Sequence, residues 1–142
     1  MSDRAFFDTN IFVYAIDEAS PAKRATARQL IEDALVNGTG ATSFQVVHEW
    51  MNVALRRLAM PPRDAELFLD RFLLPLWRVQ PSPDLCRLAL SIHRQSGWSW
   101  YDSLIVGAAS LDGCAILYSE DLQSAGRTVR GVRIVNPFRP IE

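Results

Sequence analysis

The sequence predicts one α/β domain with helices on both faces of a central, mostly parallel sheet. Three observations carry this: short apolar runs recur that are too brief for helices, amphipathic helical segments separate them, and 142 residues at 49% hydrophobic content supply one core but not two. Strands joined through helices imply right-handed crossovers, hence the parallel sheet and a three-layer α/β/α build.

Ala5 to Asp8 is an apolar run ending in Asp-Thr-Asn, read as a buried strand that stops at its C-terminal end. Ile11, Phe12, Ala15 and Ile16 repeat at the spacing of one helix face, so Ile11 to Ile16 is read as helix. Ser20-Pro21 gives a cap and a proline at the first helical position, and Gly38 follows the end of that second helix. Ala41 to Ser43 is a brief strand. Phe44 to Leu58 then carries Val46, Val47, Trp50, Val53, Ala54 and Leu58 in helical period, with Glu49 inside the helix. Pro61-Pro62 breaks the chain before an amphipathic helix, Arg63 to Leu73, and a short strand, Leu76 to Val79. Ser82-Pro83 opens a further helix with Leu85, Leu88, Ala89 and Ile92 on its buried stripe, ended by Gly97. Ser99 caps the helix Trp100 to Leu111 and places Asp102 in its first turn, where a carboxylate can reach back to the cap amide. Cys114 to Tyr118 and Val132 to Val135 complete the strands, and Arg139 to Glu142 reads as a loose end.

The formal net charge is -1, so no global positive field advertises a polyanionic partner. Lys23 is the only lysine; a local basic rim would have to be built from arginine, with Arg24, Arg28, Arg56, Arg57 and Arg127 as candidates. Cys86 and Cys114 are far apart and are read as reduced core thiols rather than a zinc or redox pair. The start of the chain does not read as a signal peptide and no run reaches transmembrane length, which predicts a cytoplasmic protein without a membrane partner.

Four carboxylates, Asp8, Glu49, Asp102 and Asp121, sit in apolar settings at element boundaries or on helices that must pack. Buried acids need a partner. Two like charges about 4 Å apart repel by roughly 4 kcal/mol at an effective dielectric near 20, so a cluster takes up a proton or a cation. An all-oxygen set without histidine or cysteine selects a hard ion, Mg²⁺ or Mn²⁺, and such ions serve phosphodiester hydrolysis. Taken singly, each acid has a plainer use: a lone Asp after a strand caps a helix, a mid-helix Glu is solvated, and Asp102 completes a capping box. The conjunction of all four is harder to explain that way.

In order and approximate spacing, FFDTNIFVYAID, SFQVVHEW, WYDSLIVGAA and LYSEDLQ followed by GVRIVNPF resemble the acid-bearing segments of the PIN-domain nucleases, in particular the VapC-like toxins of toxin–antitoxin pairs. The resemblance spans essentially the whole chain. It implies a metal-dependent endoribonuclease, with Asp8, Glu49, Asp102 and Asp121 as metal-holding catalytic acids and Thr9, Asn10, Ser43 and Ser119 as hydrogen-bonding supports. It also implies an RNA substrate, a cognate antitoxin and a homodimer. Glu120 is the alternate to Asp121, whereas Asp17 and Asp112 are read as surface residues. The apolar side chains Leu67, Phe68, Phe72, Leu73 and Leu74 exceed what one helix face needs and suggest the dimer surface. Trp98, Trp100 and Tyr101 flank Asp102, where exposed aromatics could stack a base. The rival class is a non-catalytic PIN-like module that binds protein and keeps its acids for structure. A receiver needs a late lysine that is missing, and a serine-hydrolase elbow at Gly97-Trp98-Ser99 lacks its second glycine.

Overall fold

The computed structural model describes residues 3–122 and 126–139; the expected loose end lies, from residue 140 on, outside them. Three parallel strands form first, β1 (Ala5–Phe7), β2 (Gly40–Ser43) and β3 (Trp77–Val79), and β4 (Ile116–Tyr118), β5 (Thr128–Val129) and β6 (Val132–Val135) follow. They make one six-stranded sheet in the order β3-β2-β1-β4-β6-β5, parallel except for the β5–β6 pair. The helices are α1 (Thr9–Tyr14), α2 (Pro21–Asn37), α3 (Phe44–Asn52), α4 (Pro62–Phe68), α5 (Pro83–Ser96) and α6 (Trp100–Leu111).

The chain builds outward from β1 to β3, then returns to the other side of β1 to lay down β4. The carboxyl ends of β1 and β4 therefore border the crevice where strand order reverses, the position at which open α/β sheets hold ligands. Phe6 and Phe7 on β1 are buried on opposite faces of the pleat, as a strand covered on both sides requires. Gly40 opens β2 because nothing larger fits: a Cβ there would lie 2.5 Å from Leu76 Cδ2 and 2.9 Å from Ala34 Cβ.

Helices α3 and α4 each run on into a π turn, Val53–Arg57 after α3 and Leu69–Leu73 after α4, which shifts the register of the last turn. Apolar spacing predicts the helices but not this widening. The β5–β6 hairpin was not predicted either. Its two-residue loop, Arg130-Gly131, holds both residues at positive φ (52° and 80°), as a tight primed turn needs, and the sequence offers glycine at only one of them.

Three further expectations are corrected. Cys114 is buried, but Cys86 is exposed on α5. Of the five residues assigned to a dimer surface, Phe68 and Leu73 belong to the core, and only Leu67 and Leu74 are exposed. Asp112 is no bare surface acid: its Oδ2 pairs with Arg4 (3.4 Å) and Arg78 (2.9 Å) at the amino end of the sheet. No helix of the described residues is long and apolar enough to cross a membrane.

Candidate active site

Asp8 follows β1 directly, and its N–H still donates to Tyr118 O (3.1 Å), so the residue is locked to β4 where the two strands part. Its extended backbone makes it the cap of α1, with Oδ1 accepting from the Thr9 N–H at 2.7 Å. Oδ2 accepts from Ser119 Oγ at 2.7 Å. The carboxyl is buried, and burial pushes its pKa up to about 6, against the pull of the Ser119 and Thr9 hydrogen bonds; the charges of Glu49 and Asp121 push the same way as burial.

Ser119, fully buried after β4, is the hinge of the site. It donates to Asp8, while its oxygen accepts from the Asp121 N–H (3.3 Å) and from Asn10 Nδ2 (3.4 Å). Asn10 also donates to Asp121 Oδ2 (3.1 Å) and accepts from the Glu120 N–H (3.2 Å), which fixes the loop after β4 against α1. Across the cleft on α3, Glu49 has both oxygens held, Oε2 by Thr9 Oγ1 (2.6 Å) and Oε1 by Gln45 Nε2 (3.0 Å). Asp102 lies in the first turn of α6, where its N–H is capped by Ser99 Oγ at 3.1 Å. Partial burial raises the pKa of its carboxyl, the Ser99 side chain lowers it, and the charges of Asp121 and Glu49 raise it further. Asp8 and Asp102 thus each feel Glu49 and Asp121, so the four acids form one electrostatic group.

Among the described residues no group of three or more Asp, Glu, His or Cys side chains is placed to hold a metal ion together. The donor set is all carboxylate, open on one side and short of positive charge. That fits Mg²⁺ or Mn²⁺, which bind through one or two carboxylates and keep several waters, better than an ion needing a full protein cage. Asp8, Glu49, Asp102 and Asp121 are the acids expected from the sequence to hold it.

The supports divide. Thr9, Asn10 and Ser119 each hydrogen-bond an acid of the group. Ser43 does not: its Oγ accepts from the Val46 N–H and caps α3, so it starts the helix that carries Glu49. Gln45 was missed, although it stands four residues before Glu49 on the same helix face, the spacing at which side chains meet. Glu120 lines the same cleft as Glu49 and Asp121, but its carboxylate takes Lys23 Nζ at 2.6 Å and the Tyr14 hydroxyl at 2.5 Å. Burial favours its neutral form, but those two partners outweigh it and hold its pKa below the ordinary value. Glu120→Gln is accordingly expected to change activity less than about threefold, whereas Asp121→Asn is expected to cost at least about a hundredfold, typical of a residue that touches the reacting groups. Matched kcat/KM measurements on the two variants check this.

Thr9, Asn10, Tyr14, Glu49, Arg57 and Asp121 border a cleft of about 500 Å³. Arg57 is the one of the five candidate arginines on its wall. Arg28 instead donates to Ala15 O, and Arg127 lies over Trp98.

The PIN-domain family model matches residues 5–125. The chain belongs to the PIN-domain family. No curated protein sequence matches the chain. Among solved structures, this PIN domain is similar to a chain of a toxin–antitoxin complex from Klebsiella pneumoniae (TM-score 0.68, 20% identity, 96% of this chain and 99% of that one). It is also similar to a chain of VapBC2 from Rickettsia felis, bound to a DNA fragment from its promoter (TM-score 0.65, 19% identity, 92% and 96% covered). A third likeness is to VapC20 of Mycobacterium tuberculosis, described as a sarcin-ricin loop cleaving toxin (TM-score 0.58, 23% identity, 82% and 91% covered). At these identities the likenesses establish the shared fold.

Proposed function

We propose that this PIN domain is a Mg²⁺- or Mn²⁺-dependent endoribonuclease, the toxin of a toxin–antitoxin pair. The observation that carries the reading is the group of four electrostatically linked carboxylates at the switch point of the sheet, with Asp8 buried beneath it. A divalent ion there supplies charge neutralisation at the scissile phosphate and a more acidic attacking water. The chain's own part is positional: Ser119 and the Thr9 N–H fix both oxygens of Asp8, Thr9 and Gln45 fix both of Glu49, and Asn10 orients Asp121. Arg57 on the cleft wall is the candidate contact for substrate phosphate.

The names of the similar structures, which are toxin–antitoxin complexes, support a cognate antitoxin as partner. The reading further takes the protein to be cytoplasmic, the antitoxin's inhibiting segment to place an arginine among the carboxylates, and the chain to form a homodimer that uses Leu67 and Leu74. A second reading, a non-catalytic PIN-like protein-binding module, draws on the finding that no three Asp, Glu, His or Cys side chains among the described residues are placed to hold a metal ion together.

A metal titration separates the two. Mn²⁺ at a hundred times its Kd is expected to stabilise the protein by about 2.7 kcal/mol, a rise in Tm of several degrees, and EDTA to reverse it and abolish RNA cleavage. No saturable change in Tm, with cleavage surviving EDTA or absent altogether, sinks the nuclease reading.

A further inference from the structure

Beside the acidic cleft runs a second groove, of about 490 Å³, between α3, the β3–α5 loop, α5 and the start of α6. Glu49 lies on the wall of both, so the two share that carboxylate. Among the described residues, Phe44 and Tyr101 are the exposed Phe, Tyr or Trp side chains, 40% and 65% accessible, and both line this groove. The exposed aliphatic side chains, such as Val36, Leu67 and Leu90, lie elsewhere. Phe44 is stacked on His48 (ring centroids 5.4 Å apart, planes 26° apart), which gives that wall a flat π surface. Tyr101 adjoins Asp102, and its carbonyl accepts from Gln45 Nε2 at 3.4 Å, the same amide that holds Glu49. The groove's rings are thus tied to two of the acids.

No arginine or lysine of the described residues lines the groove, and its one charge is the carboxylate of Glu49. A phosphate would be repelled there, whereas a neutral, flat ring is suited to it. We propose that this groove, resting on the ribonuclease reading, is a nucleobase subsite: an unpaired base next to the cut bond stacks on Phe44 and Tyr101 while its phosphate lies at the acids. A base can enter only if it is unstacked from a helix, so the subsite restricts the enzyme to single-stranded or looped RNA. Stacking on an aromatic tolerates sequence, and Gln45, Gln80 and Ser82 supply polar groups for the base edge.

The test uses a short single-stranded RNA with a mapped cleavage site and versions made abasic at the nucleotide on either side of it. Wild type is expected to lose about ten- to hundredfold in kcat/KM on one of the abasic RNAs. Tyr101→Ala and Phe44→Ala are each expected to lose about tenfold on intact RNA but almost nothing more on that abasic RNA, while Tyr101→Phe keeps full activity. A direct footprint accompanies the kinetics. Cys86 is exposed in the groove, whereas Cys114 is buried with its thiol pushed up to about 12, so mild alkylation reads Cys86. Intact RNA, but not the abasic RNA, is expected to slow that alkylation in the Asp8→Asn protein.

Equal cleavage of all the RNAs by wild type, or losses from variant and abasic site that multiply, overturns the proposal. So does a Tyr101→Ala protein that keeps its RNA kinetics but changes from dimer to monomer by light scattering, since the groove then joins two copies. Failure of wild type to cleave even intact RNA with Mn²⁺ is a different result, which removes the ribonuclease reading and the subsite with it. Thermal melts of each variant confirm folding.

Discussion

Replacing Asp8 by asparagine is expected to lower RNA cleavage by at least about a thousandfold while making the metal-free protein more stable at neutral pH. The activity loss follows from removing the one acid of the group that is buried and held at both oxygens. The gain in stability follows from its pKa, raised from 3.8 to about 6 chiefly by burial. That displacement weighs on the order of 3 kcal/mol against the charged form in the folded protein. The sign is fixed by proton uptake: between about pH 4 and pH 6 the folded state keeps a proton on Asp8 that the unfolded state has lost. Stability from this group is therefore full below about pH 4, is lost as pH rises through about 6, and stays lost at pH 7. Asparagine keeps the cap to Thr9 without the charge. Denaturant melts of wild type and Asp8→Asn across pH 4 to 8, in EDTA, should converge at acid pH and separate above 6. Curves that run parallel, or a variant less stable at pH 7, would contradict the buried-charge account. Glu120 contributes the opposite slope, since its pKa is depressed and its stabilisation fades as pH falls, but it is common to both proteins and cancels in the difference.

Trp50→Ala is expected to destabilise the protein by about 3 to 5 kcal/mol, against about 5 to 15 kcal/mol for a typical domain. Trp50 is fully buried, its ring is stacked on Phe68 with centroids 4.3 Å apart, and its indole N–H donates to Phe12 O at 3.3 Å. The truncation leaves a cavity between α3 and α4 and an unpaired carbonyl on α1. Because Trp50 follows Glu49, the ring that anchors α3 in the core also fixes the face on which Glu49 reaches Thr9. Activity per folded molecule should therefore fall as well. Urea midpoints and active-fraction kcat values at low temperature check both effects, and Trp50→Phe, which keeps most of the buried area, should lie well between wild type and alanine.

Much of the architecture is legible along the chain because it rests on local rules. Ser20-Pro21, Ser82-Pro83 and Ser99 mark helix starts, Gly38 and Gly97 mark ends at positive φ, and period-3.6 stripes bracket short apolar runs. The β5–β6 hairpin and the two π turns escaped because they depend on backbone geometry that residue type barely records: Arg130 at positive φ looks like any other arginine.

For the site, residue type and order alone set out four acids in apolar surroundings at element ends, and that was enough to call for a hard cation. The sequence could not say how they meet. Glu120 and Asp121 are adjacent and chemically alike, and only the packing of α1 and α2 against the loop, which offers Tyr14 and Lys23 to Glu120 and Asn10 to Asp121, separates their partners. Ser43 ends β2 and Ser119 follows β4, both strands that pair with β1, yet one caps a helix and the other bridges two acids, because the Asp8 N–H is tied to Tyr118 O at the end of β4. Local propensity follows from neighbours in sequence, whereas charge balance and hydrogen-bond partnership follow from neighbours in space, and strand order decides which residues those are.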